Sequence, residues 1–417
     1  MPKRINIGIV GCGRILPAHL RGYRLLREKG IDTFRITALV SRNRADAEMF
    51  RKRGEGPPPR PPVSQNPDDP LSAPHIYVSD FQDDVEARVF DSVEEMLEKG
   101  DVDAVDIPAS VAVHHTIALQ CLAAGKHCLV QKPFAITVRA AQRMVEAARA
   151  RNLRLGVVEN VRYAESTRIA RWLIDAGYLG EIQMAMFPSI GTEWSPNKIV
   201  AQTPWRHLKL QAGAGASLDI GVHLFHRLRY LVSEVEEVSA MTAIFEPERY
   251  TFDAQGNIIA RVRPDVDDAF FATFRFTTGA LGQMSFTWAG HGEPTRLAEG
   301  MVLYGTKGCL KGDRLVLDNG EVLSARALFE SEAPATVKER FFPLGLRDAF
   351  ALGFLDFLRG IEEGRDPETS GVEGTRDLAT SYAIVESALA GRPVRVEDVL
   401  SGRVEAYQAE INAHYNL

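Results

Sequence analysis

The chain has 417 residues and a mass of 46.1 kDa, with 49 basic against 55 acidic side chains and a formal charge of −6. An apolar fraction of 45% and a charged fraction of 25% exclude a mostly disordered chain, and a pI near 6.0 leaves no basic footprint for nucleic acid. No apolar run approaches the ~20 residues that a membrane helix needs.

The first run, Ile5-Asn6-Ile7-Gly8-Ile9-Val10, is too short and interrupted for a signal-peptide core and reads as a buried strand. Helical spacing of Leu16, Leu20, Tyr23 and Leu26 predicts a helix over 15–28. A strand at 35–40 and a helix at 43–53 follow. Further strands are expected at 102–107, 127–130 and 154–158, with helices at 112–124 and 137–151. Gly125 supplies the usual left-handed stop for the first of these. Strands alternating with helices imply an α/β, doubly wound parallel sheet over residues 1–155.

One stretch breaks the alternation. Residues 57–74 hold eight of the chain's 22 prolines, so the segment around 54–80 is neither helix nor central strand. It reads as an insertion, either an extended surface loop or an arm to a neighbouring subunit.

Beyond residue 156 the pattern changes. Helices are predicted at 165–177 and 215–232. Strands follow at 235–245, 269–276, 281–288, 301–304 and 315–317, and Thr278-Gly279 links two of them as a hairpin. Helices return at 347–363 and 371–390. The second domain, 156–417, is expected to be α+β around a large, mostly antiparallel sheet. Such a sheet needs a cover, so a homodimer or tetramer joined through it is expected. Cys12, Cys121, Cys128 and Cys309 lack metal or disulfide spacing, and a reduced, cytoplasmic protein is the reading.

Gly11-Cys12-Gly13-Arg14-Ile15 joins the first strand to the first helix. Two glycines let the backbone approach a pyrophosphate, and helix N-terminal amides face its charge. A third motif glycine is missing, since Leu16 and Pro17 occupy that region. At the end of the second strand an acidic residue would repel a 2′-phosphate. This chain has Ser41 and Arg42 instead, which favours NADP over NAD.

Gln131-Lys132-Pro133 follows the fifth strand, and Gly213-Ala214-Gly215-Ala216-Ser217-Leu218-Asp219-Ile220-Gly221-Val222-His223 comes later. With the glycine loop, these segments resemble the glucose–fructose oxidoreductase/inositol dehydrogenase/rhizopine-catabolism (Gfo/Idh/MocA) family. The resemblance extends over nearly the whole chain, through Asp267-Asp268, Gly305-Thr306-Lys307-Gly308 and Ser370-Gly371-Val372-Glu373-Gly374. It implies an NAD(P)-dependent enzyme that moves a hydride to or from a secondary alcohol of a sugar, sugar derivative or cyclitol. It places Lys132 by the nicotinamide and the reacting carbon, and Asp219 and His223 in the substrate site. Pro108 and His114 match a cofactor-loop element. Gln131 stands where the family has glutamate, so a charge near the lysine is lost. His226 stands where many members carry aspartate.

The residues support that chemistry. Oxidising an alcohol needs a base for the hydroxyl proton, and histidine titrates near neutrality. In the expected helix Asp219 and His223 are i and i+4, so they share a face that His226 extends. Asp219 would orient His223 or bind a hydroxyl, and the Lys132 ammonium would stabilise an alkoxide. Asn160 and Tyr163 after the sixth strand, and Trp205-Arg206 before the glycine-rich turn, are further substrate candidates. A metal on Asp219, His223 and His226 is a lesser alternative, as nicotinamide chemistry needs none. Alternatives for the whole protein are a redox-cycling lyase or glycosidase on the same fold, or a catalytically silent dinucleotide and sugar sensor.

Overall fold

The structure, a computed structural model, describes residues 4–191, 203–253, 255–296 and 300–417. Two compact units make up the chain. The first comprises 1–135, 140–163 and 342–374, and the second 136–139, 164–341 and 375–417. A single boundary near residue 155 therefore does not describe the division.

The first unit is built on β1 (Ile5–Val10), β2 (Phe34–Val40), β3 (Arg88–Phe90), β4 (Ala104–Ile107), β5 (His127–Gln131) and β6 (Leu155–Val158). Their order is β3-β2-β1-β4-β5-β6 and every pairing is parallel. Buried on both faces, the strands are nearly continuous in apolar residues, as parallel strands must be. The order reverses between β1 and β4, which is where such sheets open a crevice at their carboxyl edge.

The connecting helices are α1 (Leu16–Glu28), α2 (Arg44–Arg51), α3 (Val93–Lys99), α4 (Val111–Ala123) and α5 (Val138–Ala150). The segment from 342 to 374 was expected in the second domain but completes this core. Its helix Ala349–Glu363 lays Phe354 flat on Tyr23 of α1, with ring centroids 4.3 Å apart. Gly22 makes this approach possible, because a Cβ there would come within 2.8 Å of the Phe354 ring. Residues 369–370 then run beside β6, where Val157 N–H donates to Thr369 O at 2.8 Å.

The proline-rich insertion folds back on its own unit. His75 stacks on Phe50 of α2 at 4.5 Å, and Arg53 pairs with Asp80 at 2.8 Å. Arg60 reaches the first turn of α2, where it pairs with Asp46.

The second unit holds α6 (Glu165–Asp175), β7 (Ile182–Ile190), α7 (Lys209–Ala212), α8 (Ala216–Asp219) and α9 (Gly221–Leu231). The strands β8 (Val235–Ala243), β9 (Arg249–Phe252), β10 (Ile258–Val262), β11 (Ala269–Phe276), β12 (Leu281–Thr287) and β13 (Thr295–Arg296) follow. Then come β14 (Val302–Gly305), β15 (Gly308–Lys311), β16 (Arg314–Leu317), β17 (Val322–Ser324), α10 (Ala325–Glu332) and α11 (Ala335–Phe341). With α12 as the helix Ala349–Glu363 already described, α13 (Gly371–Ala390) and β18 (Val394–Arg395) complete the elements used below. Ten strands form one sheet, ordered β17-β16-β15-β14-β7-β12-β11-β8-β18 with β13 beside β7. Among its described strands only β7 and β12 pair in parallel, so the sheet is mixed and mostly antiparallel. Gly279 turns the β11–β12 hairpin at φ +88°. Sequence periodicity misses β7, whose Met184, Met186 and Pro188 blur the alternation, and the β9–β10 hairpin.

Candidate functional site

In the first unit the carboxyl edge of the parallel sheet collects most of the expected cofactor residues. After β1 the chain turns at Gly11, whose N–H donates to Val40 O at 2.8 Å. Gly11 has φ +117°, and a Cβ there would lie 2.7 Å from Ala109 N and 2.9 Å from the Pro108 carbonyl carbon. The loop after β1 is thus pressed against the loop after β4 at the switch point of the sheet. Pro108 is buried behind it. Gly13 differs: a Cβ there meets no atom within 4 Å. The open side of this loop fits a dinucleotide phosphate cradle, with backbone on one side and free space on the other.

Next in the chain, Arg14 is exposed and Ile15 half-buried. Burial pushes the Cys12 thiol up to about 12, so it stays protonated and unreactive at neutral pH. At the end of β2, Ser41 is half-buried and Arg42 exposed. Arg60 from the insertion meets the same first turn of α2 through Asp46.

Lys132 follows β5 and is half-buried, and the Lys132–Pro133 peptide is cis. Asn160, after β6, is half-buried on the same edge. Two neighbouring expectations need correction. His114 is not presented to a cofactor. Its ring is buried, with Nδ1 2.9 Å from Pro133 O and Nε2 2.9 Å from Ala109 O. Burial lowers its pKa despite those carbonyls. The neutral ring donates to one carbonyl at a time and braces the 109 loop against the 132–133 turn. Tyr163 is likewise internal: its hydroxyl donates to Asp356 Oδ2 at 2.9 Å on α12 and lies 3.4 Å from Thr369 Oγ1. Its ring is buried within the first unit, beside Gly353 of α12.

Gln131 is also turned inward. Its Oε1 accepts from Lys132 N–H at 2.7 Å and its Nε2 donates to His19 Nε2 at 3.0 Å. His19 Nδ1 lies 2.8 Å from Asp106 Oδ2. A carboxylate is therefore joined to residue 131 through one imidazole, carried on β4 instead of β5. The loss of charge expected from Gln131 is confined to that position. Neither His19 nor Asp106 was picked from sequence, although an acid inside the apolar run Val105-Asp106-Ile107 must be paired when buried.

In the second unit the helix expected over 215–232 is interrupted at Ile220. Asp219 ends α8 and His223 lies in the first turn of α9, with Ile220 between them in the helical region at φ −100°, ψ −37°. Both side chains are half-buried. Asp267 anchors α8 from below: it accepts from Gly215 N–H at 3.0 Å, Ser217 N–H at 2.8 Å and Ser217 Oγ at 2.8 Å. Gly215 is required here, because a Cβ would fall 1.7 Å from Asp267 O. Burial raises the Asp267 carboxyl to about 6 against those donors.

Arg206 Nε reaches Asp219 Oδ2 at 3.2 Å, and its guanidinium lies 4.5 Å from the Trp205 ring centroid. Trp205, Arg206 and Asp219 thus form one half-buried cluster, as a sugar-binding surface would require. His226 does not join it. The ring is buried and its Nδ1 lies 2.7 Å from Asp377 Oδ2, while Arg229 engages Asp377 Oδ1 at 2.6 Å. Burial alone would raise the Asp377 carboxyl, but His226 and Arg229 outweigh it and hold it below the usual range. His226 is a core residue that ties α9 to α13, not a substrate contact.

Residues 5–159 match the family described as oxidoreductase family, NAD-binding Rossmann fold, and residues 167–311 match the GFO/IDH/MocA C-terminal domain. Levoglucosan dehydrogenase of Pseudarthrobacter phenanthrenivorans is 28% identical over 316 residues, covering 70% of this chain and 80% of that protein. 1,5-Anhydro-D-fructose reductase of Ensifer adhaerens is 28% identical over 310 residues, covering 73% and 83%. Myo-inositol 2-dehydrogenase of Thermotoga maritima is 25% identical over 315 residues, covering 75% and 85%. Among solved structures, levoglucosan dehydrogenase in complex with NADH and L-sorbose has the same fold, with a TM-score of 0.71, 23% identity, and coverage of 94% of this chain and 99% of that one.

Proposed function

The chain belongs to the GFO/IDH/MocA oxidoreductase family, and from that premise we propose that it is an NAD(P)-dependent dehydrogenase or reductase acting on a secondary alcohol or ketone of a sugar, sugar derivative or cyclitol. The observation that carries this reading is Lys132 on the same sheet edge as a glycine loop whose Gly13 faces open space. The curated relatives support the substrate class, since their names are those of sugar and inositol enzymes.

Gly11, Gly13, Arg14, Ile15, Ser41 and Arg42 would hold the dinucleotide, which supplies the hydride acceptor when bound. The Lys132 ammonium polarises the reacting oxygen, and His223 takes the hydroxyl proton. Asp219, with Arg206 and Trp205 beside it, holds substrate hydroxyls, and Asn160 is a further residue assigned to substrate. A panel of sugars and polyols with NAD or NADP, followed by reduced-nicotinamide absorbance, tests the assignment. No turnover with any member overturns it.

We further propose that NADP is preferred. Support comes from Arg42 exposed after β2, from the lack of an acid at position 41, and from Arg60 held beside α2 by Asp46. Arg42→Ala is expected to weaken NADP by roughly ten- to a hundredfold, the worth of a charge-assisted bond of about 1.5–3 kcal/mol, with little change for NAD. Equal losses in a binding titration would refute the preference.

The reading extends to assembly. Met241 and Phe271 pair across β8 and β11, Leu281 and Met184 across β12 and β7, and all four are exposed on one face of the sheet with Met186. A second copy covering this face gives a homodimer or, by repetition, a tetramer. Light scattering at micromolar concentration should return a multiple of 46.1 kDa. The double change Met241→Glu and Phe271→Glu should return the monomer.

A further inference from the structure

We propose that His19 and Asp106 are positioning residues for Lys132, acting through Gln131 along one buried hydrogen-bond chain. The proposal rests on the reading of Lys132 as the catalytic lysine. The direction of each bond follows from one fixed donor. The Lys132 backbone N–H can only donate, and it meets Gln131 Oε1 at 2.7 Å. The amide's other end is then a donor, facing His19 Nε2 at 3.0 Å. An accepting Nε2 leaves the ring proton on Nδ1, where it is donated to Asp106 Oδ2 at 2.8 Å. The Tyr23 hydroxyl donates to the same oxygen at 3.2 Å. Burial first, then the Asp106 charge, raise the Tyr23 phenol well above its usual value, so it remains a donor.

His19 is 0% exposed, Asp106 1% and Gln131 8%, so the chain of bonds runs through the interior of the unit. The rest of the His19 ring packs on Phe350 and Phe354 of α12 at 5.4 and 5.3 Å. Among the described residues, Asp106 and Tyr23 are the titratable groups hydrogen-bonded to this chain, and α12 sets Phe350 and Phe354 against the histidine.

This arrangement explains the amide at position 131. A glutamate there would set an acceptor against an accepting nitrogen. To bond it, His19 would have to carry two protons between two carboxylates. With the carboxylate already on β4, the chain of donors closes only if residue 131 can donate to His19 and accept from Lys132. Gln131 does both. It thereby holds the last peptide of β5, from which the Lys132 side chain departs.

The first measurement uses wild-type protein labelled with ¹⁵N-histidine. The His19 ring is expected as the neutral Nδ1–H tautomer, recognised by its loss in His19→Gln or, if that chain does not fold, by its displacement in Tyr23→Phe. An Nε2–H tautomer or an imidazolium at neutral pH overturns the chain. The second measurement is kinetic. Gln131→Glu sets a carboxylate against the accepting His19 Nε2 and is expected to lower kcat by about ten- to a hundredfold, the cost of a small misplacement at the reacting group, with cofactor KM within about threefold. Adding Asp106→Asn leaves one ring proton, now directed at the carboxylate introduced at position 131, and most of kcat should return. An unchanged kcat in Gln131→Glu, or no recovery in the double variant, overturns the positioning role. If Lys132→Ala itself keeps full activity, the positioning role falls with the catalytic reading, while the ring tautomer still stands as measured.

Discussion

Lys132→Ala and His223→Ala are each expected to lose about 10²–10⁴-fold in kcat, the usual worth of a positioned proton-transfer group, while dinucleotide affinity stays within a few fold. The expectation follows from where the two side chains originate. Lys132 leaves the end of β5, on the carboxyl edge where parallel sheets bind ligands. His223 opens α9 directly after the anchored turn that ends in Asp219. If both groups serve one proton-transfer unit, the double variant should lose less than the product of the two single losses. If Lys132 alone handles the proton, His223→Ala should mainly raise KM, with kcat nearly intact. Steady-state kinetics of the three variants separate the cases. Near wild-type kcat/KM in either single variant removes that residue from the mechanism.

The second large effect is a contrast between two glycines two positions apart. Gly13→Val should fold normally, because a Cβ at Gly13 meets nothing within 4 Å. Its branched side chain would project into the space assigned to the pyrophosphate. Dinucleotide affinity should fall by about a hundredfold or more, roughly 3 kcal/mol, with an unchanged Tm. Gly11→Ala should do the reverse. It must hold φ +117° and push into Ala109 N at 2.7 Å, so the fold itself suffers. A loss of roughly 3 kcal/mol or more in urea unfolding is expected. Full cofactor affinity in Gly13→Val, measured by titration, would refute the assigned phosphate site. A Gly11→Ala protein as stable as wild type would refute the close approach of the two loops.

Much of the first unit was legible in the sequence, for a physical reason. Apolar runs such as Val102–Ile107 alternate with amphipathic helices, and a chain of that pattern can bury its strands only in a parallel sheet with helices on both faces. The glycine loop could be located as well, because its order of strand, turn and helix is local. The second unit was less legible. Strands of a mixed sheet take their partners from far along the chain, so β7 found its register against β12 and β14 rather than through any local signal.

Family resemblance and local pattern together determined the class of chemistry, and they nominated the residues that the variants above put to the test: Gly11, Gly13, Lys132, Asp219 and His223. Which polar residues work outward and which work inward was decided by tertiary packing alone. His114, Tyr163 and His226 read as site residues by position, yet each is buried, with both His114 nitrogens against Ala109 and Pro133, the Tyr163 hydroxyl on Asp356, and His226 Nδ1 on Asp377. The reverse holds for His19 and Asp106. Separated by 87 positions, they meet only because α1 packs over β4. A buried polar group must find its partner in three dimensions, and sequence spacing carries no record of a partner that the fold supplies.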